Sequence, residues 1–192
     1  MAFSINEIKS NLKYGGARPT LFQVILNSRF SPDLTSVAPF MVQSASLPGS
    51  TITPIPVSYW GRKIKVAGDR EFEDWRVTVM NDEDFKVRHA LETWHNKINS
   101  IVGNLNTTGS ASPESYKAEA TVNQYAKAGS LRGNGTVGNP LRSYNFVGLF
   151  PAQIGPIELS WEDNNRIETF QVVFSYDYYT ISGDTATGGG IS

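Results

Sequence analysis

The chain has 192 residues, no cysteine, two histidines and a formal charge of −1 from 17 basic and 18 acidic side chains. Without cysteine there is no disulfide or thiol chemistry, two histidines are a poor supply of transition-metal ligands, and a near-neutral balance lacks the concentrated basic surface that phosphate neutralisation needs. The length suits one domain, and folding can bury roughly 70% of the surface that the unfolded chain exposes, enough for a sizeable core. The start MAFSINEIKSNL has neither the basic nor the apolar region of a signal peptide, and no run approaches the ~18 apolar residues of a membrane span, so a soluble product outside the Sec route is expected.

Ser4 and Glu7 have capping-box spacing, and Ile5, Ile8 and Leu12 share a helical face before Gly15 and Gly16. Residues 1–16 are therefore expected to form a short helix or arm, whose thin apolar stripe suits docking on a neighbouring protomer. Residues 20–28 read as a strand, with Phe22, Val24 and Leu26 on one side and Gln23 and Asn27 on the other. Pro32 and Pro39 bracket a loop, residues 40–47 suggest a second strand, and Leu47, Pro48 and Gly49 supply a turn. Pro54 and Pro56 mark an edge or an extended connector, because proline cannot donate to a ladder. Between residues 60 and 66, Ile64 and Val66 oppose Lys63 and Lys65, after which Gly68 and Asp69 permit a tight reversal. The partner strand over residues 72–80 places Trp75, Val77 and Val79 on a buried face and Asp74, Arg76 and Thr78 on the other, and the two strands are expected to form a hairpin.

Asn81 or Asp82 can cap a helix over residues 83–101 whose first turn carries Glu83 and Asp84, with Val87, Leu91, Trp94, Ile98 and Ile101 as its apolar stripe. Residues 116–125 alternate again, with Ala118, Ala120 and Val122 opposed to Lys117, Glu119, Thr121 and Asn123. A glycine-rich polar stretch at 128–139 precedes two apolar segments, 141–150 and 157–161, separated by a Pro/Gly turn. The last strand, 166–179, places Phe170, Val172, Phe174, Tyr176 and Tyr178 on one face and Thr169, Gln171, Ser175 and Asp177 on the other. The pattern is mainly β: an antiparallel sandwich or barrel with one flanking α-helix, divided into an arm at 1–16, a single β domain at 17–181 and a flexible tail at 182–192. Core packing falls to Trp75, Val77, Val79, Leu91, Trp94, Phe170 and Phe174. A sheet polar on one side can wall a water-filled channel if subunits join edge to edge, a joining that also removes aggregation-prone edges.

Catalytic chemistry is poorly represented. Gly133, Gly135 and Gly138 match the spacing G-x-G-x-x-G, yet Pro140 and a strand follow where a phosphate-binding loop needs a helix. There is no Walker loop, G-x-S-x-G elbow or H-E-x-x-H, and His89 and His95 are six apart, which does not stack them on one helical face. The acidic run at 82–84 reads as a helix cap, and Glu162 with Asp163 as a turn. No catalytic residue, cofactor or metal site is expected.

The run SYWGRKIKVAGDREFEDWRVTVMNDED at 58–84 resembles the tail tube proteins of contractile-tailed, T-even-like bacteriophages. The likeness continues through Arg18 to Val24, Glu114 to Lys117, Gln124 to Lys127, Gly148 to Ala152 and Ile157 to Phe170. Its most family-like residues are Gly61, Arg62, Lys63, Gly68, Asp69 and Arg70. The resemblance implies a tube-protein fold whose copies close into hexameric rings, the inner sheets merging into one barrel, and rings stacked into a conduit inside a contractile sheath. It implies no catalytic activity, a place in the virion tail after assembly in the host cytoplasm, and as partners the chain itself, the sheath protein, a baseplate or tube initiator, the tape-measure protein, and DNA passing without sequence-specific binding. Asp74, Thr78, Thr169, Gln171 and Asp177 are the lumen-facing candidates, giving a neutral or acidic channel that does not hold phosphates. The inner tube of a phage-derived injection system, a tube initiator or baseplate protein of the same fold, and a monomeric ligand-binding β domain are the alternatives.

Overall fold

The computed structural model describes residues 17–28, 32–106, 112–125, 140–162 and 164–182, the side chain of Asp33 excepted. The expected N-terminal arm, the glycine-rich stretch and the C-terminal tail beyond Ser182 lie outside the described residues.

Period-two sequence becomes strand as expected in β1 (Phe22–Asn27), which buries Val24 and Leu26. Two short helices, α1 (Pro32–Ser36) and α2 (Ala38–Met41), occupy the stretch expected to be loop and the start of a strand. Proline at the first turn of a helix loses no hydrogen bond, so Pro32 and Pro39 start helices here instead of excluding them. Then follow β2 (Val42–Ala45), β3 (Ser50–Tyr59), β4 (Arg62–Phe72), β5 (Trp75–Met80), α3 (Lys86–Ile98), β6 (Ala118–Gln124), β7 (Arg142–Ile154), β8 (Thr169–Ser175) and β9 (Tyr178–Ser182).

All pairings are antiparallel, in the order β1-β6-β7-β8-β5-β2, with β9 also on β7. β1 and β2 end this order and do not pair with each other, so among the described residues the sheet does not close into a barrel. It folds over along β7 instead. The half made of β1, β6, β7 and β9 faces the half made of β7, β8, β5 and β2, and Trp75 of β5 stacks on Phe146 of β7 with ring centroids 4.4 Å apart.

The fold-over has a local cause. Gly148 has φ +72°, a backbone that side-chain-bearing residues rarely adopt, and a Cβ there would collide with the Asp177 carboxylate. Inward-facing residues on β7 change parity across this point, from Tyr144 and Phe146 to Leu149 and Pro151. The final strand switches opposite it, from Phe174 and Tyr176 to Tyr179, so the continuous strand expected over 166–179 is two strands, and Tyr178 is exposed instead of sharing the buried face. Asp177 sits at the break, held by Lys117 at 2.7 Å.

Helix α3 buries Val87, Ala90, Leu91 and Trp94 and anchors itself through Trp94 Nε1, which donates to the Tyr116 carbonyl at 2.8 Å. It is shorter than the expected 83–101. Phe85 occupies the N-cap with φ 54° and no side-chain cap, and Asp84 pairs with Lys86 at 2.6 Å, whose hydrogen bond and charge hold the exposed carboxyl below its ordinary range. Beyond Asn99 the chain turns outward, and Ile101, expected on the buried stripe, is exposed.

Among the described residues, Tyr176 is the core residue with an alkaline signature. Its ring packs edge-on against Phe146 at 4.9 Å, and its buried hydroxyl has no hydrogen-bond partner among the described residues. Burial, then the charges of Tyr179, Asp74 and Glu73, push its phenol up to about 12. A raised folded-state value stabilises the fold fully below the unfolded value near 10 and loses that contribution as pH rises towards 12. Stability measured by denaturant titration is expected to fall across that window in the wild type and to fall less in Tyr176→Phe.

Candidate functional site

Among the described residues, the surfaces that stand out are those that the fold leaves chemically incomplete. The foremost is an arm. β3 and β4 form a separate two-stranded ribbon joined at Trp60 and Gly61, whose φ values of 48° and 74° fit the two-residue mirror-image turn that matches strand twist. The hairpin expected between residues 60–66 and 72–80 is therefore not formed. Its turn residues Gly68 and Asp69, with Arg62, Lys63 and Arg70, lie within β4, and Gly61 lies in the turn. Gly68 is explained by proximity: the register slips beside it, and a Cβ would run into the Thr53 carbonyl. Pro54 and Pro56, two apart, turn their ring nitrogens to the same side, the open edge of the ribbon, since proline cannot serve the ladder.

The pairing Ile55↔Val66, Val57↔Ile64 and Tyr59↔Arg62 collects five apolar side chains on one face. Pro54, Pro56, Ser58, Lys63 and Lys65 take the other. Every one of the apolar five is exposed, and Trp60 at the tip is 90% exposed. A lone two-stranded ribbon is marginal in water, and a contiguous apolar face of this kind marks an interaction surface.

The second surface is the outer face of the β5–β8 half. Thr78 and Gln171 are directly paired, Thr169 lies across from Met80, and Arg76 and Val173 complete the row. Three lumen candidates thus share a face. Asp74 is exposed just before β5, and Asp177 is at the β8–β9 break with Lys117, so the structure does not bring all five together. The loop 155–168 curls over the Met80 end of this face and encloses a cleft of about 520 Å³ lined by Thr78, Glu158, Leu159, Trp161, Ile167 and Gln171. Residues 157–161 were expected to be an apolar segment of the sheet. They form no strand, and Trp161 is fully exposed.

A third surface was only half legible. The outer face of the β1–β6–β7–β9 half is a network of small uncharged groups: Thr121 Oγ1 donates to Asn145 Oδ1 (3.0 Å), Ser143 Oγ to Asn123 Oδ1 (2.6 Å), Asn145 Nδ2 to Ser182 Oγ (3.2 Å) and Tyr125 Oη to Gln23 Oε1 (2.8 Å). The core candidates Trp75, Val77, Val79, Leu91, Trp94, Phe170 and Phe174 are all buried. His89 and His95 are exposed on α3, and among the described residues no group of three or more histidine or acidic side chains could hold a metal ion.

Residues 3–182 match the family model described as phage tail tube protein. The chain belongs to the phage tail tube family. It is 39% identical over 163 residues to the tail tube protein gp19 of Enterobacteria phage T4, covering 85% of this chain and 90% of that protein. Among solved structures, family membership is accompanied by likeness to the anti-feeding prophage tube-terminating cap, with a TM-score of 0.58, 18% identity and coverage of 88% and 91%. An extracellular contractile injection system sheath-tube complex in the extended state gives 0.53, 15% identity and coverage of 95% and 100%. At these identities the structural likeness speaks to the fold.

Proposed function

We propose that this chain is the repeating subunit of a phage tail inner tube: copies close into hexameric rings, and rings stack into a hollow conduit inside a contractile sheath. The observation that carries the reading is the arm, an apolar ribbon that the subunit's own core does not cover, on a chain 39% identical to a tail tube protein. A conduit subunit needs surfaces that complete themselves only in the assembly. The outer face of the β5–β8 half, with Thr78, Thr169 and Gln171, is the proposed lining of the channel, joined at its margins by Asp74 and by Asp177, whose charge Lys117 offsets. A lining without clustered lysine or arginine lets DNA slide, because few counterions are released on contact.

In this reading the sheath protein binds the outer wall, a baseplate or tube initiator supplies the first ring, the tape-measure protein occupies the lumen during assembly, and DNA replaces it at ejection. The protein is non-enzymatic and resides in the virion tail after assembly in the host cytoplasm. An inner tube of a phage-derived contractile injection system is the second reading, favoured by fold likeness to such assemblies.

The test is negative-stain electron microscopy of untagged protein over a range of concentrations, with and without a supplied baseplate. Sixfold rings or tubes with an open lumen are expected. Globular monomers under every condition count against the tube and favour an independent binding domain.

A further inference from the structure

One side chain of the arm reaches back into the body of the subunit. Every residue of β3 is exposed, and in β4 every side chain is exposed except that of Phe72, the last residue of the strand, which packs against the core. Two residues, Glu73 and Asp74, separate it from β5. The Phe72 ring lies edge-on to Tyr179 with centroids 5.5 Å apart and tilted to Tyr176 at 6.0 Å, the offset geometries that aromatic pairs prefer. Phe146 backs Tyr176 at 4.9 Å and Tyr144 backs Tyr179 at 6.1 Å, so the two tyrosines form a socket supported by β7. The arm's other connection, residues 46–49, is tied to β5 at Ser46, whose N–H donates to the Arg76 carbonyl and whose carbonyl accepts from Trp75 Nε1. Beside the junction is an open hollow of about 540 Å³ lined by Ser46, Phe72, Glu73, Asp74 and Arg76, which leaves the base of the arm room to tilt.

The socket exists because of the β8–β9 break. In an unbroken strand Tyr176 and Tyr179, three apart, would point to opposite faces. The break at Asp177 turns both towards the core, and it is held by the Asp177 N–H, which donates to the Val147 carbonyl at 3.0 Å, and by the Lys117 ion pair. We propose that Phe72, seated between Tyr176 and Tyr179, is the positioning residue that sets the angle at which the arm leaves the domain, so that the ribbon is a lever with an aromatic fulcrum. This setting belongs to the single subunit and holds whether or not copies assemble into a tube. The leverage is large: at ~3.3 Å per residue the arm extends roughly 33 Å from Phe72 to its tip, and a tilt of about 10° at the base carries the tip about 6 Å. Removing the half-buried ring therefore takes little from the core and much from the aim of the arm.

The absence of cysteine allows a direct test. Nitroxide labels on Ser58→Cys, near the arm tip, and His89→Cys, exposed on α3, report the arm-to-body distance by pulsed electron paramagnetic resonance. Labelled chains are diluted in unlabelled protein so that distances within one chain are read. One narrow distance peak is expected with Phe72 in place. Phe72→Ala is expected to shift that peak or at least double its width, and Phe72→Tyr, which keeps a ring in the socket, to return it to the original. Two control pairs separate a swinging arm from a damaged fold: His89→Cys with Glu119→Cys, both on the body, and Ser58→Cys with Glu71→Cys, both on the arm, are expected to keep their distances in Phe72→Ala. An arm-to-body peak that Phe72→Ala leaves unchanged, or one already broad with Phe72 present, overturns the proposal. So does a broadened control pair, which would mean that Phe72 holds the body or the ribbon together and does not aim the arm. None of these outcomes depends on whether rings or tubes form.

Discussion

Replacing Trp75 by alanine is expected to lower the unfolding free energy by about 3 to 5 kcal/mol, the cost of emptying a large, fully buried aromatic site. Trp75 is 1% exposed, stacks on Phe146 at 4.4 Å, contacts the Phe174 ring at 5.5 Å and donates its indole N–H to the Ser46 carbonyl at 2.8 Å. Those contacts belong to β7, β8 and the segment after β2, so one side chain ties the two halves of the folded sheet together. In a domain of this size the change corresponds to a melting-temperature drop of about 6 to 20 °C. Trp75→Phe keeps most of the ring packing, gives up the indole hydrogen bond and should fall between the two. A melting curve for the alanine variant that overlays the wild type would mean that the halves do not meet at this ring.

The opposite dissociation of folding from assembly is expected on the arm. Val57 and Ile64 face each other across β3 and β4 and are both exposed, so Val57→Thr with Ile64→Thr keeps β-branching and should change subunit stability by no more than about 0.5 kcal/mol. If docking covers both side chains, losing ~1.5 kcal/mol at each raises the concentration needed for assembly by roughly 100-fold. Sedimentation of assembled material across a dilution series, beside a thermal melt of the same variant, reads both quantities. Unchanged assembly would show that this face stays wet in the tube.

What could be read in advance depended on how locally each feature is encoded. β5, β6 and β8 each carry strict alternation beside a partner of the same kind, so Val77, Val122 and Val172 point inward as periodicity demands. Alternation says that Ile64 and Val66 share a face but not which strand lies beside them. Gly68 with Asp69 then looked like a turn, when the glycine is there because the Thr53 carbonyl comes close. The signal that could have located the true turn is the near-mirror arrangement of Val57 and Tyr59 before Trp60 and Gly61, and Arg62 and Ile64 after them. The parity change at Gly148 is a matter of one positive φ, and nothing in the flanking residues announces it. The cleft was missed because Leu159 and Trp161 look like core residues to any rule based on hydrophobicity, although both are exposed.

The two prolines on the arm's open edge have a consequence for the life of the protein before it is built into anything. An exposed ribbon with an apolar face is the sort of element that recruits a strand from the next chain it meets and grows into a fibre. Pro54 and Pro56 remove two donors from the β3 edge, so another ribbon cannot zip along it, while the apolar side-chain face is left untouched. In the proposed tube this separates two kinds of contact: side chains can still meet a neighbour, while runaway backbone pairing along the β3 edge is blocked at its first step.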